Sequence, residues 1–296
     1  MEQTKSIARY NIDSCALLVE LNVSQWTARK LDRSTTDELV SSKHAQAKGA
    51  ARVNKHLLAG RSELEVVGQH VTETRSFVYN NTLPWSDSGI RLLPSAKFME
   101  FNAKLQEAED KFYGLVTEFV TVYPSLITAQ AMALGDMFNR TDYPQPTDIE
   151  HRFNFNVNYM PVPSSGDFRV DIGNDAQEEL RAKLSKFADE RVENAMNDIK
   201  SRLLEHLKRM SDRLTVDYVN GEPVPRKFHD SLLDGAHDLC EMADSLNIVG
   251  DTQLSDARKA LLQAIGGIDV KDLRKDMPTR TDIKAQVDDV LSKFSF

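Results

Sequence analysis

The chain has 296 residues, with 37 Lys or Arg against 45 Asp or Glu, a formal charge of −8, 41% hydrophobic and 28% charged residues. That composition excludes a chain disordered throughout, and 13 Gly and 10 Pro exclude collagen-like or low-complexity character. Two cysteines, Cys15 and Cys240, cannot build a disulfide framework. The longest apolar run near the N-terminus, Cys15 to Val19, is far below the roughly 20 residues of a membrane helix, so a reducing cytoplasm is the expected setting.

Leu17, Val19, Leu21 and Val23 alternate with Leu18, Glu20 and Asn22, the period-two pattern of a strand with one buried face. Ser34, Thr35 and Thr36 ahead of Asp37 and Glu38 predict a helix start, because a hydroxyl can accept an orphan N–H bond. A long helical region is expected from there to about Tyr79, with Leu57, Leu64, Val67, Val71 and Val78 on its apolar face. It should end before Leu83-Pro84, since the residue before proline avoids the helical region. Trp85 to Pro94 reads as a loop with a turn at Ser88-Gly89. Phe98, Phe101, Leu105, Ala108, Phe112, Leu115, Phe119 and Val122 then trace a helix that Pro124 breaks or kinks, and helical character resumes over Ser125 to Phe138.

In Phe153-Asn154-Phe155-Asn156-Val157-Asn158-Tyr159 the apolar residues point one way and the asparagines the other, a half-buried strand. Phe168, Val170 and Ile172 alternate with Arg169 and Asp171, and Pro161 to Gly166 reads as a hairpin connection between the two strands. Asp175 with Glu178 forms a capping box, and a helix should follow whose stripe runs through Leu180, Leu184, Phe187, Val192, Ala195, Ile199, Leu203, Leu207, Met210 and Leu214. At 1.5 Å per residue it is roughly 50 to 60 Å long and must pack along a partner. Asn220-Gly221, Pro223 and Pro225 end it, and Phe228, Leu232, Leu239, Ala243 and Leu246 mark an antiparallel return helix. Two shorter helices are predicted, from about Thr252 to Gly266-Gly267 and from about Thr279 to Phe294.

No phosphate-cradling glycine loop, G-x-S-x-G elbow, paired C-x-x-C or H-E-x-x-H occurs, so no catalytic residue, cofactor or metal ligand set is assigned. Asp142, Asp148, Glu150 and His151 could hold a divalent ion, as in a metal-dependent nuclease, or could be ordinary solvated loop residues. His229 and His237 beside Asp230, Asp234 and Asp238 read as an exposed face, and both cysteines read as buried structural thiols. The anomaly is charge. From Leu39 to Ser62 there is no acid, while Lys43, Lys48, Arg52, Lys55 and Arg61 all fall there. With His44, the spacing of Lys48, Arg52 and Lys55 predicts one cationic helical face, close to Arg29, Lys30 and Arg33. Such a face could track the phosphates of DNA or RNA, or meet acidic parts of this chain or of a neighbouring subunit. Trp26 and the Asn face could add stacking and hydrogen bonds, or be a core residue and a solvated edge.

Three segments carry a resemblance: Gln25-Trp26-Thr27-Ala28-Arg29-Lys30; Leu83-Pro84-Trp85-Ser86-Asp87-Ser88-Gly89-Ile90-Arg91-Leu92-Leu93-Pro94; and Pro161-Val162-Pro163 with Gly166-Asp167-Phe168-Arg169-Val170. Over most of the first 170 residues the chain resembles an uncharacterised family of phages and of integrative or conjugative elements. The resemblance implies a bacterial host and a gene neighbourhood that often includes a MoxR-type AAA+ ATPase and a protein with a von Willebrand factor A domain. It brings no catalytic residues with it.

The expected fold is α+β and predominantly helical. A small antiparallel sheet covered by long helices should occupy 1–173, and a helical hairpin with C-terminal helices should occupy 174–296. The first functional expectation is a non-enzymatic adaptor or scaffold of a phage or mobile element. It would form a homo-oligomer through Leu180, Leu184, Phe187, Ile199, Leu203 and Leu207 and engage a protein such as the ATPase. The alternative is a DNA- or RNA-binding accessory protein that uses Lys43, Lys48, Arg52, Lys55 and Arg61. No membrane association is expected.

Overall fold

The computed structural model describes residues 12–47, 49–163 and 174–294. In chain order they form α1 (Ile12–Cys15), β1 (Ala16–Ser24), β2 (Arg29–Leu31), α2 (Arg33–Ser42), β3 (Asn54–His56), α3 (Glu63–Asn81), β4 (Leu83–Pro84), β5 (Arg91–Pro94) and α4 (Phe98–Ala133). These are followed by α5 (Pro146–Glu150), β6 (Asn154–Pro161), α6 (Asn174–Leu214), β7 (Val216–Val219), β8 (Glu222–Pro225), α7 (Ser231–Leu246), α8 (Thr252–Ile265), α9 (Val270–Lys275) and α10 (Met277–Lys293). The class is α+β, predominantly helical, with a small antiparallel sheet. Its strand order is β4-β5-β1-β6, with Ala16 opposite Pro94 and Leu83 opposite Leu92. The segment expected to loop at 85–94 thus supplies an inner strand. The second strand expected at 168–172 lies outside the described residues. Among the described residues no helix is long and apolar enough to cross a membrane.

The chain divides into two compact units that interleave in sequence. One comprises Met1–Glu20, Val78–Phe101 and Asn158–Phe296, the other Leu21–Phe77 and Asn102–Val157. This differs from a single break near residue 173, because β1, α3, α4 and β6 each begin in one unit and end in the other.

In the second unit, Trp26, Phe112, Phe119, Tyr123, Phe153 and Phe155 build an aromatic core, with Trp26 edge-on to Tyr123 at 5.6 Å between centroids. Trp26 is therefore a core residue. Pro124 does not end α4: Tyr123, Leu126 and Ile127 are buried around it, and that packing outweighs the lost N–H bond. The long helix expected over 34–79 is instead two helices separated by β3. Asp32, not a serine or threonine, caps α2 by accepting from Thr35 N at 3.1 Å. His44 at φ 53° and Gly49 at φ 75° then turn the chain left-handed, which a helix cannot accommodate.

In the first unit, Ala195, Ile199, Leu203, Leu207, Met210 and Leu214 of α6 are fully or nearly fully buried against Leu233, Ala236, Ala243 and Leu246 of α7 and Ile283, Val287 and Val290 of α10. The long stripe finds its partner inside its own chain over this half. Asn220-Gly221 does more than end α6. At φ 55° and 84° it makes the tight turn of a β7–β8 hairpin, in which Val216 faces Pro225 and Val219 faces Glu222.

Candidate functional site

Because α6 commits one face to the core, its flank is free to carry polar groups. His206, Arg209 and Arg213 stand there at i, i+3 and i+7. The β7–β8 hairpin returns the chain beside the end of α6 and delivers Arg226, Lys227 and Phe228, while α9 and α10 supply Arg274 and Arg280. Together with His229, Ser231 and Leu232 they line a cleft of about 760 Å³ that contains six Arg or Lys, two His and no Asp or Glu. In a chain of charge −8 this is a concentration of one sign.

The cations differ in how they are held. Arg226 forms a two-pronged pair with Asp217, Nε to Oδ2 at 2.9 Å and Nη2 to Oδ1 at 3.1 Å, and also pairs with Asp212. These hydrogen bonds hold the Asp217 carboxyl below its ordinary range. Arg274 pairs with Asp230 and donates to Phe228 O at 3.1 Å. Arg280 is 2% exposed, and its Nε donates to Leu214 O at 2.9 Å while Nη2 donates to Arg213 O and Arg226 O, both at 2.5 Å. Two of these acceptors are the last carbonyls of α6, where the helix dipole is negative, so Arg280 is the C-terminal cap of a 41-residue helix. Burial lowers its pKa, and among the described residues no carboxylate faces it. Arg209, Arg213 and Lys227 are exposed and have no ion-pair partner among the described residues. Three structural arginines thus frame three uncommitted cations.

His206 is 8% exposed, and its Nε2 lies 3.2 Å from Leu232 O, which fixes the proton on Nε2 and leaves Nδ1 as a lone-pair acceptor. Burial lowers its pKa; the main-chain bond opposes that and Arg209 adds to it, so the ring is neutral at pH 7. Gly235 on α7 lets the ring approach, since a Cβ there would stand 3.2 Å from His206 Cε1. His206 and Arg209 also line a second cavity of about 570 Å³, in which Lys97 and Arg202 stand with Glu100, Glu205, Asp238 and Glu241, so that its charges of the two signs nearly balance.

The cations singled out from sequence do not share a helical face. Lys43 is the C-cap of α2, Lys48 lies outside the described residues, Arg52 is exposed ahead of β3, and Arg61 is half-buried after it. Lys55 is on β3 and 7% exposed, with Nζ 2.5 Å from Asp142 Oδ2 and donating to Met137 O at 2.8 Å. Its partner strand carries Lys30 directly opposite, and Lys30 reaches the same carboxylate at 2.7 Å. The acid-free stretch is thus partly neutralised by acids elsewhere in its own unit. Asp142, already held by two lysines, is not joined by Asp148, Glu150 and His151, and among the described residues no three His, Cys, Asp or Glu stand close enough to hold a metal.

On the long stripe, Ile199, Leu203 and Leu207 are buried in the chain's own core, so a surface role expected of them is not available in this fold. Leu184 is half-buried, Phe187 is 47% exposed, and the Leu180 side chain lies outside what is described. Cys240 is buried with its thiol pushed up to about 11 by desolvation, whereas Cys15 is half-buried and donates to Ile12 O at 3.7 Å. Comparison with known protein families, curated proteins and solved structures finds no match to this chain.

Proposed function

We propose that this chain is a binding protein for a phosphate-bearing ligand, held in the cleft between the end of α6, the β7–β8 hairpin and α10. The observation that carries this reading is a cleft wall with six Arg or Lys and no carboxylate, in an acidic chain. Arg226 and Arg274 already have Asp212, Asp217 and Asp230 as counter-ions, but Arg209, Arg213 and Lys227 have no ion-pair partner among the described residues, and such cations placed together repel one another and are stabilised when an anion occupies the space. Guanidinium groups suit phosphate because they present donors in a planar fork. The volume lies in the range of small-ligand pockets, about 300 to 1,000 Å³. The nucleic-acid expectation takes a new location here, with Arg209, Arg213 and Lys227 in place of the 43–61 segment.

The test is thermal unfolding with sodium tripolyphosphate, with a single-stranded oligonucleotide, and with sodium chloride at matched ionic strength. Ligand at about 100 times its Kd stabilises by about 2.7 kcal/mol, a rise of several degrees in Tm. A rise with either phosphate ligand and none with chloride supports the reading; equal behaviour in all three defeats it.

A second reading rests on Phe187, 47% exposed on α6 three residues beyond half-buried Leu184. In it the first half of α6 self-associates, as in a scaffold of a phage or mobile element that engages a MoxR-type ATPase, the context the sequence resemblance implies. Light scattering across a concentration series tests it: a dimer that Phe187→Lys converts to monomer supports self-association, and a monomer throughout removes it.

A further inference from the structure

We propose that the phosphate-bearing ligand is single-stranded nucleic acid, with its backbone in the cationic cleft and a base stacked on Tyr218 of the β7–β8 hairpin. This rests on the anion-binding reading above and adds a class of ligand to it.

The hairpin has an apolar side that no core covers. Val216 stands opposite Pro225 and Tyr218 opposite Pro223, so these four side chains share one face of the ribbon. Tyr218 is 74% exposed, whereas no other Phe, Trp or Tyr among the described residues exceeds 47%. A two-stranded ribbon is marginal by itself, and the base of this one is fastened to the end of α6. Arg226 N donates to Thr215 O at 3.2 Å, the Arg226 side chain pairs with Asp217 and Asp212, and Arg280 donates to Arg226 O. The ring is thus presented on an anchored scaffold, and a tyrosine has few rotamers to lose when something settles on it.

The neighbours of that face decide what it takes. Pro225 belongs both to the ribbon face and to the cleft wall, so Tyr218 stands one alternate cross-strand pair beyond the cleft, roughly 7 Å along the ribbon. In the cleft Arg209, Arg213 and Lys227 are exposed and have no ion-pair partner among the described residues. Unpaired cations beside an exposed ring suit a single strand, whose phosphates meet the cations while an unstacked base takes the ring. A duplex keeps its base faces stacked on one another and gains nothing from the ring. A second copy adding a strand finds little to bond. Because Arg226 N is bonded to Thr215 O, Val216 with Pro225 and Tyr218 with Pro223 are the pairs whose main-chain groups point outward, and there proline has no N–H. An anionic lipid surface is disfavoured by the leading end of the ribbon, Asn220-Gly221-Glu222, which carries an exposed carboxylate and no cation.

Isothermal titration of the full chain with sodium tripolyphosphate, with a short oligothymidylate, with an abasic strand of the same length and charge, and with the thymidylate annealed to oligoadenylate separates the parts of the proposal. The expected result is that tripolyphosphate binds, and that the thymidylate binds about fivefold or more tightly than the abasic strand and the duplex, the advantage one stacked base confers. Tyr218→Ala should bring the thymidylate down to the abasic strand while leaving the abasic strand and tripolyphosphate unchanged, and Tyr218→Phe should keep the preference. Tyr218 lies outside the core, so both variants should keep the parent's fold, which circular dichroism checks. Equal affinity for the thymidylate and either the abasic strand or the duplex, or a preference that survives Tyr218→Ala, overturns the stacking proposal and leaves the anion reading standing. Binding to phosphatidylglycerol vesicles, or self-association, that Tyr218→Ala removes gives the ring to another partner and overturns it too. Binding of neither tripolyphosphate nor any strand overturns both.

Discussion

Replacing Arg280 by Met tests how the cationic cleft is built. The side chain is 2% exposed and donates to Leu214 O, Arg213 O and Arg226 O, so one residue joins the end of α6, the segment after the hairpin and the start of α10. Hydrogen bonds from charged donors contribute about 1.5 to 3 kcal/mol each. Three give a gross loss of about 4.5 to 9 kcal/mol, offset by several kcal/mol because Met no longer holds an ion in a desolvated place. A net loss of about 3 kcal/mol follows, or about 6 to 12 °C in Tm for a unit of this size. Arg280→Lys should fall between the two, since an ammonium cannot span three carbonyls on separate segments. The two tryptophans make the assay specific, because Trp85 is buried in the first unit and Trp26 in the second. Urea unfolding followed by fluorescence in a Trp26→Phe background reads the surroundings of Trp85, with Trp26→Phe itself as the reference. A midpoint for Arg280→Met within about 0.5 kcal/mol of the parent would refute the assignment of Arg280 as the cap of α6.

Three further outcomes follow from the same contacts. Lys55→Met leaves Asp142 with Lys30 alone and removes the bond to Met137 O, and should cost the second unit about 2 to 3 kcal/mol, read by Trp26 fluorescence in a Trp85→Phe background; an unchanged midpoint would show the pair to be dispensable. Acid should destabilise the chain through Asp142 and Asp251. Burial works to raise both, but hydrogen bonds from Lys30 and Lys55 to Asp142 and from Lys200 to Asp251 outweigh it and hold the folded pKa values below the unfolded ones. That stability is complete above the unfolded carboxylate range near pH 4 and is lost as pH falls through the folded values; a Tm that stays flat from pH 5 to pH 3 would contradict this. Cys240, with its thiol raised to about 11, should resist a thiol reagent at pH 8 until urea unfolds the chain, and immediate labelling in native conditions would contradict its burial.

The parts of the fold that repeat were legible in the sequence. The α6 stripe from Val192 to Leu214, the alternation in β1 and the Phe-Asn alternation of β6 each occupy the element their period indicates. What was not legible came from contacts distant in sequence. Lys55 falls at helical spacing from Lys48 and Arg52, but pairing with Lys30 and the carboxylate of Asp142 puts it in a strand. Pro124 sits inside a helix because the aromatic core around Tyr123 holds it there. The cleft was missed for a different reason. Its cations come from α6, the hairpin exit, α9 and α10, so no window of sequence contains them together. A signal did exist: Asn220-Gly221 flanked by Val-Asp-Tyr-Val and Glu-Pro-Val-Pro is a hairpin pattern, and it folds Arg226 back onto the helix that carries Arg209 and Arg213.

The most direct test of the anion-binding claim is calorimetric titration of sodium tripolyphosphate into the parent chain and into Arg209→Glu with Arg213→Glu, at low and at physiological salt. Both side chains are exposed and outside the core, so the variant should keep the parent's fold. Binding by the parent that weakens with salt, and that falls at least tenfold in the variant, is the predicted result. Absence of binding by the parent, or equal affinity in the two proteins, would contradict it.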